Sequence, residues 1–188
     1  MNASLLAVEE TALEGVLVLK PRRFGDARGW FSETWNEDRM REAGLDLSFT
    51  QDNQSFSAEI GTLRGLHFQT PPMAQNKLVR VLAGRILDVA VDLRRTSPTF
   101  ARHVAVELSA ENGLQLLVPK GFAHGFVTRE PNTVVFYKVT APYAPECDKG
   151  VAFDDPELAI DWGVTRKAAI LSDKDKVQPH LSELSDFF

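Results

Sequence analysis

Arg64, His67 and Lys77 place a guanidinium, an imidazole and an ammonium within 13 positions of one another. An imidazole with an unperturbed pKa of about 6.5 is available as a general base at neutral pH, and a fixed cation nearby can stabilise a developing oxyanion. The surrounding stretch, Gly61-Thr62-Leu63-Arg64-Gly65-Leu66-His67-Phe68-Gln69, also has the spacing of half of a two-part metal motif. In that motif a Gly is followed six positions later by His, then by a second His, a Glu and a closing Gly; Gly61 and His67 fit. Gln69 takes the second His position, and Lys77 stands seven residues before Gly84, where Glu is expected. A metal site needs neutral imidazoles and carboxylates, not an ammonium. The spacing therefore points to Lys77 supplying the positive charge that a metal would otherwise provide.

These residues need elements to hold them, and the chain reads as many short strands. Val16 to Leu19 is an apolar run before Pro21, and Gly29 to Trp35 is aromatic and β-branched enough for a strand. Asn36 is a helix N-cap for Glu37 to Ala43, with Gly44 as the stop. Leu47 to Phe56, Thr62 to Gln69, Leu78 to Leu82, Arg85 to Leu93, His103 to Leu108, Leu114 to Val118, Gly121 to Thr128 and Thr133 to Thr140 continue the strand pattern, with turn signals between most of them. In Arg85 to Leu93, Leu87, Val89, Val91 and Leu93 alternate with Ile86, Asp88, Ala90 and Asp92, so one face is apolar and the other carries two carboxylates. A short helix is expected within Pro179 to Phe188. Regular short strands imply a β-sandwich or barrel.

The bulk numbers narrow the class of protein. The 188 residues suit one domain over 1–188, and 44% apolar with 25% charged residues is ordinary soluble composition. A formal net charge of −5 without a basic run predicts no nucleic-acid binding. The N-terminal segment has no basic region ahead of a long apolar core, and no apolar run reaches membrane-spanning length; no membrane association and a cytoplasmic location are expected. The single Cys147 excludes an internal disulfide and reads as a loop thiol.

A second motif half supports a barrel: Gly113, Pro119, Gly121 and His124 fit the pattern Gly, five residues, Pro-x-Gly-x-x-His. Both halves, in order, resemble the cupins and imply an all-β, cupin-type double-stranded β-helix, or jelly roll, with a few short peripheral helices. The chain also resembles the dTDP-4-dehydrorhamnose 3,5-epimerases. The resemblance is carried by Gln51-Asp52-Asn53-Gln54-Ser55, Leu63 to Gln69, Lys77 to Val81, Asp88 to Arg94, Pro119 to Phe126, Tyr137-Lys138 and the tail segments Asp154-Asp155-Pro156, Ile160-Asp161-Trp162 and Leu171 to Asp175. It runs from about Gly15 to Asp175.

The resemblance implies a cofactor-independent isomerase acting on a dTDP-linked 4-keto-6-deoxyhexose. A proton leaves a carbon next to the ketone, the enolate is stabilised, and a proton returns from the opposite face. His67 is the implied base, oriented by Asp175, with Asp173 as the second choice. Lys77 is the cation at the sugar O4, and Tyr137 is the opposing acid. Tyr143 is implied to line the pocket, and His124 with Asp88 to form a second His–carboxylate pair that either touches substrate or is structural. Arg64 is a phosphate contact; Gln51 and Asn53, two apart on one strand face, are polar contacts near the diphosphate. Arg28, Phe31 and Glu33 are implied to reach the thymidine of a neighbouring subunit in a homodimer. Two departures stand out: Gln54 replaces a frequent His, and Gly163 replaces a common Pro, which predicts a looser turn. His103 and His180 match no motif and read as surface or structural residues.

Three other readings stay open. A nucleotide-sugar 3-epimerase for another deoxysugar would share His67, Lys77 and Tyr137. A metal-dependent cupin would bind a stoichiometric transition metal, against which Gln69 and Lys77 argue. A noncatalytic sugar-binding cupin would exchange no sugar protons.

Overall fold

The computed structural model describes residues 5–185 and 188. Its strands are, in chain order, β1 (Leu6–Glu10), β2 (Leu17–Pro21), β3 (Arg23–Asp26), β4 (Gly29–Ser32), β5 (Gln51–Ser57), β6 (Leu63–Gln69), β7 (Lys77–Ala83), β8 (Arg85–Asp92), β9 (His103–Ser109), β10 (Gln115–Val118), β11 (Phe122–Thr128), β12 (Thr133–Val139) and β13 (Asp148–Gly150). One short helix, α1 (Glu37–Glu42), follows β4, and single 3-10 turns sit at Asp175–Val177 and Leu181–Glu183. No helix among the described residues is long and apolar enough to cross a membrane.

The strands pair antiparallel into a six-stranded sheet in the order β1-β2-β10-β7-β12-β5 and a five-stranded sheet in the order β13-β6-β11-β8-β9. The hairpin β3–β4 stands apart from both. Alternation then decides which side chains meet. Val79 and Val81 of β7 and Leu116 and Val118 of β10 face Ile86 and Ala90 of β8 and Phe122 and Phe126 of β11, forming the core between the sheets. The other face of the five-stranded sheet, with Leu66, Phe68, Val89, Val91 and Val127, is covered by the C-terminal segment through Phe153, Leu158, Trp162 and Leu181. β8 is thus buried on both faces. The outer face of β2, β7 and β10 receives α1 through Met40, which packs with Leu19, Leu78 and Leu117. This is the jelly roll that the cupin resemblance implies, a sandwich of the kind the strand pattern predicts.

Differences from the sequence reading lie at edges. β1, β3 and β13 are short pairing strands that it did not identify. β4 stops at Ser32, and Trp35 packs edge-on against Phe49 at 4.7 Å. The expected strand from Leu47 begins only at Gln51, because Leu45, Leu47 and Phe49 pack around α1 instead of pairing. The α1 caps are as expected: the Asn36 side chain accepts from Arg39 N at 3.2 Å, and Gly44 takes φ +81°. The tail expected to be helical holds one 3-10 turn, with residues 186 and 187 outside the described set, as are 1–4 of the N-terminal segment. Gly163 does not simply loosen its turn. It sits at φ +61°, where Pro cannot go, and its N–H donates to Asp161 at 2.8 Å. Beside it Trp162 is buried and donates to the Phe153 carbonyl at 2.7 Å. Cys147 is in a loop, as read, but buried.

Candidate active site

Polar side chains converge between the sheets in two adjoining lobes of a cleft. The first, about 490 Å³, is lined by Ser55, Arg64, His67, Lys77, His124 and Tyr137, with Leu63, Phe126, Ile170 and Leu171 as apolar walls and Ser172 and Asp175 from the tail. The second, about 450 Å³, is lined by Gln51, Asn53, Gln75, Tyr143, Asp148 and Lys174. His67, Lys77 and Tyr137 line both lobes and therefore stand where they join.

A local irregularity in β6 makes this convergence possible. In a regular strand Arg64 and His67, three apart, point to opposite faces. Here the β6–β11 register pairs His124 with His67 but Phe126 with Arg64, a slip of one residue. The slip is a bulge at Gly65, which has φ +129° and lies so close to β11 that a Cβ would stand 2.5 Å from Gly125 Cα. After the slip Leu63, Leu66 and Phe68 still pack outward while Arg64 and His67 both reach the cleft.

The tail completes the imidazole. Asp175, 4% exposed, accepts from His67 Nε2 at 2.5 Å and from the Ser172 hydroxyl at 2.8 Å, while its own N–H donates to Ser172 Oγ at 3.1 Å. Burial pushes the Asp175 carboxyl up, but the His67 hydrogen bond and charge, with Ser172, outweigh it and hold it below the usual carboxylate range. Of the two aspartates the sequence offered, Asp175 meets His67; Asp173 is exposed and paired with Lys176. An ionised Asp175 can only accept, so the facing nitrogen is the donor and the other ring nitrogen is the one that Asp175 does not engage.

Lys77 donates to the His67 carbonyl at 3.3 Å. Burial lowers its pKa from 10.5 to about 8, against the opposing pull of Asp148 and Asp88. It remains mostly an ammonium at neutral pH. Tyr137 comes from the opposite sheet, and burial raises its phenol further, with Arg64 pulling the other way. It holds its proton until a strong base appears. Deeper in, His124 Nε2 meets Asp88 at 2.7 Å, with the His124 side chain 9% and the Asp88 side chain 0% exposed. The inward Asp88 matches the polar face read for its strand; Asp92 on that face is instead a structural clip for Arg94, Ser97 and Thr99.

The remaining expected residues divide. Gln51 and Asn53 share the inner face of β5 and bond each other at 2.8 Å, but they line the second lobe whereas Arg64 lines the first. Arg64 is held by the Phe56 carbonyl at 3.1 Å and Ser57 Oγ at 3.4 Å. The Tyr143 hydroxyl donates to Asp148 at 2.9 Å. Gln54 points to solvent. Arg28, Phe31 and Glu33 do not reach this chain's own cleft: Arg28 pairs with Asp26, Glu33 with Arg39 at 2.5 Å, and Phe31 is 70% exposed. The Gln69 amide, at the vacated ligand position, clips loops together through the carbonyls of Met73 and Pro142 and the N–H of Ala144. Sequence reasoning missed Ser172, Asp148 and Lys174. The motif Leu171-Ser172-x-Lys174-Asp175 contained two of them, but nothing in it says that a serine supports the aspartate.

The chain is similar to known proteins over most of its length. Residues 10–183 match the family profile of dTDP-4-dehydrorhamnose 3,5-epimerase. The enzyme of that name from Sinorhizobium fredii is 51% identical over 176 residues, 94% of this chain and 90% of its own length. The crystal structure of the Bacillus anthracis dTDP-4-dehydrorhamnose 3,5-epimerase, with TDP and PPi bound, superposes with a TM-score of 0.91 at 53% identity, covering 94% of this chain and 99% of that one. A Legionella pneumophila dTDP-6-deoxy-D-glucose-3,5-epimerase in complex with dTDP-4-keto-L-rhamnose gives 0.91 at 41% identity, covering 96% and 95%.

Proposed function

The chain belongs to the dTDP-4-dehydrorhamnose 3,5-epimerase family, and from that premise we propose that the sugar ring of its substrate sits where the two lobes join. The protein is an isomerase that converts dTDP-4-keto-6-deoxy-D-glucose to dTDP-4-keto-L-rhamnose, a step of dTDP-rhamnose biosynthesis. His67 takes the proton from C3 and C5, each adjacent to the C4 ketone. The resulting imidazolium is stabilised by Asp175, already ionised and held by Ser172. Negative charge moves to O4, where the Lys77 ammonium meets it in a low-dielectric cleft without reorganising. Tyr137, on the opposing sheet, returns a proton to the other face of each carbon; between the two epimerisations His67 releases its proton to solvent and Tyr137 takes one back. The observation that carries this reading is that base, cation and acid are the residues common to both lobes.

Arg64 takes the diphosphate through its planar fork, and Gln51, Asn53 and Tyr143 bind polar groups from the second lobe. The active unit is a homodimer, working in the cytoplasm, in which the β3–β4 hairpin reaches the neighbouring cleft: Phe31 stacks on thymine, with Arg28 and Glu33 beside it. The exposure of Phe31 and its absence from the lining of this chain's own cleft support that arrangement.

Proton NMR of dTDP-4-keto-6-deoxyglucose with the protein in D2O tests the reading. Deuterium is expected at both C3 and C5 with formation of the L-lyxo product. His67→Ala should stop the exchange while dTDP still binds. Exchange at C3 alone would mark a 3-epimerase, and no exchange with the unaltered protein would sink the assignment.

A further inference from the structure

Asp88 has no solvent contact, lines neither lobe of the cleft, and has a carboxylate oxygen, Oδ2, that is buried without any hydrogen-bond partner. Its other oxygen meets His124 at 2.7 Å. A buried carboxylate this poorly solvated costs several kcal/mol unless a cation nearby compensates it. A structural His–Asp pair would be expected to satisfy both oxygens.

The groups around Lys77 show which cation that is. Arg64 and His67 approach from β6, Asp88 from β8, His124 from β11, Tyr137 from β12, Asp148 from β13, and Lys174 and Asp175 from the tail. Asp175 is committed to His67. Asp148 is bonded by both Lys174 and the Tyr143 hydroxyl, and its field at Lys77 is offset by Lys174. That leaves Asp88 as the carboxylate acting on Lys77 whose own partner is neither a lysine nor an arginine. Position adds a second point: His124 lies directly opposite His67 across β6 and β11, Lys77 donates to the His67 carbonyl, and Asp88, bonded to His124, lines neither lobe of the cleft.

Resting on the enolate mechanism above, we propose that Asp88 is a positioning residue for the oxyanion site, the fixed internal counter-charge that keeps Lys77 protonated. His124 is the spacer: its Nε2 bonds Asp88, and its ring lines the cleft where a sugar hydroxyl can meet it. The catalytic cation thereby keeps its charge in a cleft dry enough for that charge to act.

The test is the pH profile of deuterium incorporation at C3 and C5. Rate should fall as pH rises and Lys77 loses its proton, giving an alkaline limb near the value of about 8 that burial sets for Lys77. Asp88→Asn, which keeps the His124 contact and removes the charge, should move that limb down by about one pH unit, the size expected for losing one nearby opposite charge. The KM for the nucleotide sugar should change little. His124→Gln, which keeps the Asp88 charge, should leave the limb in place while weakening substrate binding. A limb unmoved in Asp88→Asn overturns the proposal, as does a limb that moves in His124→Gln. Should Asp88→Asn fail to fold, Asp88→Glu and His124→Gln decide the matter: the charge is kept in both, and a downward shift in either overturns it. If the unaltered protein exchanges no protons, the epimerase reading itself has failed, a result distinct from either.

Discussion

At the scale of single residues, the proposed mechanism separates groups that do chemistry from groups that hold the nucleotide, and kinetics can read the separation. Asp175→Asn keeps the shape of the His67 partner but not the charge that stabilises imidazolium. It should lower kcat by about 10²–10⁴-fold with KM nearly constant, as expected when a transition-state interaction is lost. Steady-state kinetics checks this, and a rise in KM at constant kcat would reassign Asp175 to binding. Arg64→Ala should do the reverse. Losing charge-assisted hydrogen bonds of about 1.5–3 kcal/mol should weaken dTDP binding by roughly 10–150-fold in calorimetry. Unchanged affinity would take Arg64 out of the phosphate site and leave Lys174, in the second lobe, as the cation to examine.

At the scale of elements, the decisive device is the bulge at Gly65. Replacing Gly65 with Ala puts a methyl 2.5 Å from Gly125 Cα and 2.9 Å from the His124 carbonyl, at a φ that L-residues avoid. Gly65→Ala should lower stability by roughly 1–3 kcal/mol and reduce kcat beyond that loss, because β6 must move and carries His67 with it. Thermal unfolding together with kinetics measures both; a variant as stable and as fast as the parent would mean the close approach does not seat His67. This bulge also marks how far the sequence could be read. Strand periodicity located most of the elements and the inward faces of β5 and β8, and the motif spacing picked out His67, Lys77 and His124. Periodicity alone would have set Arg64 and His67 on opposite faces, since a slip in register has no signature in residue types beyond a Gly that fits many other roles. Ser172 and Asp148 were illegible for a different reason: they act by meeting partners that the chain brings close only through its tertiary path. Edge strands β1, β3 and β13 are too short for their pattern to exceed chance.

At the scale of the whole molecule, the β3–β4 hairpin projects from the sandwich with Trp30 59% and Phe31 70% exposed, which suits a surface completed by a second chain. Phe31→Ala should raise KM roughly tenfold through loss of base stacking, about 1–3 kcal/mol. Because the hairpin is proposed to act across the interface, co-expression with a His67→Ala chain should restore a normal KM. The Phe31→Ala chain keeps its own His67 and borrows an intact hairpin from its partner. If the hairpin served its own chain, no mixed dimer would contain an intact site, and KM would stay high.

Asp175 arrives 108 residues after His67, on the segment that also covers the outer face of the five-stranded sheet. During synthesis, a ribosome can have delivered every strand of both sheets while the base still lacks its orienting carboxylate. On the proposed mechanism the nascent chain lacks its full activity until its tail emerges and docks, and a product truncated before that point has every strand but no dyad. On that mechanism, full activity doubles as a report that translation ran past residue 175.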